Sequence, residues 1–105
     1  MADNSKHYED IAKYTKVDEA AADKIVKYLG IALRNRDSAY VAATDPSELE
    51  TVRESWLKKK LGLSGDDKLD AGIAEVMEAM KADRMKGRAT VYYLLAEKFG
   101  KLGSL

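Results

Sequence analysis

The sequence contains no cysteine, an absence that removes disulfides, thiolate zinc sites, iron–sulfur clusters and cysteine nucleophiles together and leaves the redox compartment unspecified. It has no excess charge of either sign. Eighteen lysines and arginines stand against eighteen aspartates and glutamates, so no long-range field draws the whole molecule to nucleic acid or anionic lipid, and such binding needs a local patch. Long apolar runs are missing too. Residues 1–7 are polar and lead into no signal-peptide core, and no stretch nears the ~20 apolar residues that span a bilayer. The expected location is the cytoplasm.

What is present is patterned. Hydrophobic residues make up 46% of the chain and charged residues 34%, the balance of a globular domain with a solvated exterior. At 105 residues it is long enough for one core and too short for two, so a single domain over residues 1–105 is expected. The one proline and the seven glycines fall where helical periodicity breaks. A short helix is expected over residues 6–15, with Tyr8, Ile11 and Tyr14 on one face. A second, over residues 18–34, opens with Asp18 and Glu19 at the positive end of the helix dipole and carries the stripe Ala22, Ile25, Val26, Leu29, Leu33. Residues 35–44 read as a short helix or a packed loop.

Asp45-Pro46-Ser47-Glu48 is a helix start with a reason at each position: Asp45 caps, Pro46 suits the first turn, and Glu48 is spaced to reach back as a capping box. From it runs a helix with Leu49, Val52, Trp56, Leu57 and Leu61 on one side, closed by Gly62. A fourth helix follows Asp66 and Asp67, with Leu69, Ile73, Val76, Met77 and Met80 inward. Asp83 is placed to cap the last helix, whose centre, Val91 to Leu95, is apolar on every side and so belongs in the middle of the fold. No segment alternates with period two over a convincing length, and no sheet is expected. The fold class is all-α: an irregular compact bundle of five or six helices, two helical hairpins plus a short N-terminal helix, with Trp56, Tyr92 and Leu95 near the centre.

Chemical groups are scarce. His7 is the only histidine, sits near a terminus and reads as a solvated side chain without the carboxylate and rigid seat of a general base. Asp66, Asp67, Asp70, Glu75 and Glu78 do not follow the alternating ligand positions of a calcium loop and read as helix capping and a solvated face. There is no Glu-x-x-His pair for a carboxylate-bridged metal site and no Gly-rich phosphate loop. No catalytic residue, metal or cofactor is assigned, and the chain is expected not to be an enzyme. Two basic groups remain, Lys58, Lys59 and Lys60 at a helix C-terminus and Lys81, Arg84, Lys86 and Arg88 around the last connection. Cations at a helix end offset its dipole; brought together, the two groups would form an anion or nucleic-acid patch. Most of the aromatic residues fall on apolar stripes and read as core, while Tyr8, Ile11 and Tyr14 must dock on this chain or on a second copy. The function expected is contact with a protein partner or self-association, the alternative being weak phosphate or nucleic-acid binding through that basic patch.

Four stretches carry a family resemblance: Val17-Asp18-Glu19-Ala20-Ala21, Tyr28-Leu29-Gly30-Ile31-Ala32-Leu33-Arg34, Trp56 through Leu63, and Thr90-Val91-Tyr92-Tyr93-Leu94-Leu95-Ala96-Glu97. With them the chain resembles, over nearly its whole length, a family of small bacterial proteins catalogued as the domain of unknown function numbered 2853. The resemblance implies a bacterial, compact helical protein and brings no activity, ligand or site residue.

Overall fold

A computed structural model of the chain describes residues 4–34, 39–83 and 86–105. Helix α1, Ser5–Ala12, buries one side chain, Ile11. Helix α2, Glu19–Leu29, begins where Asp18 accepts a hydrogen bond from the Ala21 N–H at 3.3 Å. Its inward face is Ala21, Ala22 and Ile25. Gly30, at φ +47°, ends it four residues earlier than the apolar pattern suggested, because that conformation is open to glycine and strained for other residues; the chain tightens there into a 3-10 turn, Gly30–Leu33.

Residues 35–38 of the uncertain 35–44 segment lie outside the described residues. Beyond them Tyr40–Val41 forms β1, which pairs antiparallel with β2, Lys86–Gly87, in the register Tyr40 to Gly87 and Val41 to Lys86. This small sheet corrects the expectation of none. Two residues a strand are too few to display alternation, and the pairing joins segments far apart in sequence. The Arg88 N–H adds a bond to the Ala39 carbonyl at 2.8 Å, so the ladder runs straight into the last helix.

Helix α3, Pro46–Thr51, starts as its sequence dictates, with Asp45 accepting from the Ser47 N–H at 3.0 Å. That bond and the one from the Ser47 hydroxyl hold the Asp45 carboxyl below its ordinary pKa. The capping box is not made: the Glu48 carboxylate reaches Arg88 at 2.9 Å, a stronger partner than a backbone N–H. The helix then winds on as a π-helical segment, Val52–Lys60, whose end shows the wide spacing directly in the bond from the Leu61 N–H to the Trp56 carbonyl at 2.9 Å. Val52, Trp56, Leu57 and Leu61, four or five apart, point inward. Gly62, at φ +70°, turns the chain out.

Helix α4, Asp66–Ala79, buries Leu69, Ile73, Val76 and Met77. Helix α5, Arg88–Lys98, is buried at every position from Arg88 to Ala96. It is the centre of an all-α bundle: α1, α2, α4 and the π-helical segment all pack on it. Asp83 does not cap it. Gly87 holds that position, while the Asp83 carboxylate receives the Tyr14 hydroxyl and its carbonyl receives the Lys86 ammonium.

The buried apolar residues make one cluster. At its heart Trp56, 0% exposed, stacks on Tyr92 with ring centroids 4.7 Å apart, and its indole N–H donates to the Tyr92 carbonyl at 3.0 Å. Beside it the buried Tyr93 hydroxyl accepts from the Asp18 N–H at 2.8 Å and donates to the Lys16 carbonyl at 3.1 Å, pinning the start of α2 to α5.

Candidate functional site

Of the described cations singled out by the sequence, two are withdrawn from the surface. Lys86 is 8% exposed and Arg88 6%. Lys86 is turned onto the Asp83 carbonyl, and Arg88 onto Glu48 at 2.9 Å, the Tyr40 carbonyl at 3.3 Å and the Tyr92 hydroxyl at 3.4 Å. Both are structural cations, a correction with a plain cause: a guanidinium at the first turn of the central helix goes under with that helix and finds a carboxylate there. Burial opposes the Arg88 charge, and the hydrogen bonds it donates to Glu48 and Tyr92 outweigh that, so its pKa is raised. Lys58 bridges Glu54 at 3.1 Å and Asp66 at 2.7 Å. Arg84 lies outside the described residues. Lys59 and Lys60 remain at the surface.

The N-terminal face read as an interface is seated on this chain. Ile11 is 1% exposed, within the core cluster. The Tyr8 hydroxyl donates to Asp23 and the Tyr14 hydroxyl to Asp83. These contacts raise both phenol pKa values to about 12, the hydrogen bond to Asp23 leading for Tyr8 and burial leading for Tyr14.

A recess of about 260 Å³ opens between α1 and the start of α5, with Lys6, His7, Asp10, Tyr40 and Thr90 on its walls. His7 therefore has the half-buried seat and nearby carboxylate that its sequence position did not suggest, although the three-residue spacing to Asp10 was visible. Burial, then Lys6, lowers its pKa below 6.5 against the opposing pull of Asp10. The carboxylate is already engaged, since Asp10 receives the Thr90 hydroxyl at the first turn of α5. It thus fills the place where a helix N-terminus would receive an anion.

The surface that stands out was not singled out by the sequence. Tyr28 is 43% exposed and Ile31 77%, and these are the large hydrophobic residues left in solvent among the described ones. Neither belongs to the apolar stripe of α2, and that was the available signal. Tyr28 bridges two elements: its ring lies 5.2 Å from Trp56 at a tilt of 50°, its hydroxyl reaches the Ser55 carbonyl at 3.4 Å, and the Lys60 ammonium sits 5.6 Å over its ring. Lys24, one turn before Tyr28 on the same side of α2, and Lys27, beside it, are exposed. Lys59 and Lys60 stand a turn beyond Ser55 on the π-helical wall. Tyr28 thus stands partly in solvent with Lys60 over its ring and further exposed lysines on both elements.

Among the described residues, no group of three or more His, Asp or Glu gathers as a metal site, and no helix is long and apolar enough to cross a membrane. A small all-α bundle built around one buried helix is the class these features define. The family model described as "Protein of unknown function (DUF2853)" matches residues 6–103, and the chain belongs to that family. No curated protein matches it.

Proposed function

We propose that the protein is a non-catalytic binding module that works by contact, through the face that α2 and the π-helical segment share around Tyr28 and Ile31. The observation that carries this reading is the exposure of Tyr28 against Trp56 of the Trp56–Tyr92 stack, with Ile31 exposed three residues further along the chain. Aromatic and aliphatic groups left in solvent over a rigid core are what a protein interface uses as anchors, and π-helical insertions recur at functional positions. Polar groups elsewhere are spent on the fold: Arg88 on Glu48, Asp10 on Thr90, Asp83 on Tyr14.

The test is positional. A photo-crosslinking residue in place of Ile31 should give a discrete adduct in the native cells, and the same residue in place of the exposed Glu78 on α4 should not. Equal adducts at both positions, or none at position 31, would overturn the assignment of this face.

A further inference from the structure

Given that this face is a contact surface, its chemistry selects the partner: we infer that it docks an extended acidic segment of another protein carrying an aliphatic side chain between its carboxylates. Lys24, Lys27, Lys59 and Lys60 are not ion-paired among the described residues, whereas four of the five acids of α4 are: Asp66 with Lys58, Asp70 with Arg53, Glu75 with Lys98 and Glu78 with Lys81. Zero net charge therefore does not mean that every cation is matched. On α2 the Asp23 carboxylate is turned to Asn4 and Tyr8, which leaves Lys24 and Lys27, with Lys59 and Lys60, for a foreign anion. A second copy of the chain is a poor source of that anion, because its most acidic surface would have to break these bridges first.

Tyr28 and Ile31 decide between an acidic protein segment and a nucleic acid. Base stacking needs an open aromatic face, and the Tyr28 ring has Lys60 over it and Trp56 tilted against it. Ile31 offers a branched aliphatic surface with no π-face, suited to a leucine or valine. The cations are lysines, mobile point charges that suit separate carboxylates better than the paired oxygens a guanidinium fork grips. From Lys24 to Tyr28 is one turn, about 6 Å along α2, which about two residues of extended chain cover. The matching order is acid, aliphatic, acid.

Fluorescence anisotropy with four labelled probes of equal length tests this: an alternating glutamate–leucine peptide, an all-glutamate peptide, a lysine–leucine peptide and single-stranded oligothymidine. The glutamate–leucine peptide should bind tightest. Lys27→Glu with Lys60→Glu should weaken it by about tenfold or more and transfer preference to the lysine–leucine peptide. Ile31→Ser should reduce it to the level of the all-glutamate peptide. All three positions are exposed, and an unchanged thermal melt confirms that each variant folds. Tighter binding of oligothymidine, failure of every peptide, or an affinity indifferent to the charge reversal would overturn the inference. A crosslinked adduct at position 31 that survives the charge reversal would sink the acidic partner while leaving the contact surface standing; loss of the adduct in the unreversed protein sinks both.

Discussion

Tyr93 shows how much one hydroxyl can hold. It is fully buried in α5, yet its oxygen serves as acceptor for the Asp18 N–H and its proton goes to the Lys16 carbonyl. Tyr93→Phe keeps the ring and strands both backbone groups, so it should cost about 1–3 kcal/mol in urea unfolding. A cost near zero would mean that water takes over both bonds. The same residue illustrates what a sequence discloses at this scale. That Tyr93, Trp56 and Leu95 lie in the core follows from an apolar run in a helical register. That the phenol meets residues 16 and 18 does not follow, because the partner lies on another helix and periodicity speaks only of a residue's own element. Tyr28 marks the converse limit. It counts as an aromatic among aromatics until the fold places it at the rim, and only its absence from the α2 stripe gave notice.

At the scale of elements, the helices were legible and their ties were not. Asp45-Pro46 marked the start of α3 because capping is local chemistry. The inward residues of the π-helical segment, spaced four and five apart, satisfy an α-helical reading about as well, so the wider winding was hidden. Glu48 makes the distinction sharpest: local rules sent it back to Asp45, and the buried Arg88 of α5 claimed it instead. Burial of a guanidinium is invisible to a composition-based reading, which treats every cation as solvated, and this is why Lys86 and Arg88 read as parts of a surface patch. The pair now ties α3 to α5. Glu48→Ala should cost about 3 kcal/mol, since it removes the carboxylate that faces a buried cation. Glu48→Gln, which keeps an acceptor, should cost less. Arg88→Met combined with Glu48→Leu should recover most of the loss, because a buried ion pair replaced whole by apolar groups is often neutral. If the double variant is as unstable as Glu48→Ala, the pair has a role beyond mutual neutralisation.

At the scale of the molecule, α1 buries the fewest side chains of the α-helices eight residues or longer, and polar latches complete its hold. Ile11 is its buried anchor, and Tyr8 with Asp23, Tyr14 with Asp83 and Asp10 with Thr90 complete its seat. Both phenols serve as donors to carboxylates, so both must stay protonated for the helix to remain docked. Their folded pKa values are raised from 10.0 to about 12. Below pH 10 the folded and unfolded states hold the same phenolic protons, and stability does not depend on them. Between pH 10 and about 12 the unfolded chain has released protons that the folded chain still keeps, so stability falls as pH rises. Chemical denaturation across this range should show that decline, and tyrosinate absorbance should resolve at least three late-titrating phenols, Tyr8, Tyr14 and the buried Tyr92, among the six tyrosines. Replacing both by phenylalanine lowers the starting stability but should flatten the slope in this window. An unchanged slope would assign the alkaline loss to other groups, the buried Tyr92 among them, and would leave α1 held by Ile11 and its remaining contacts.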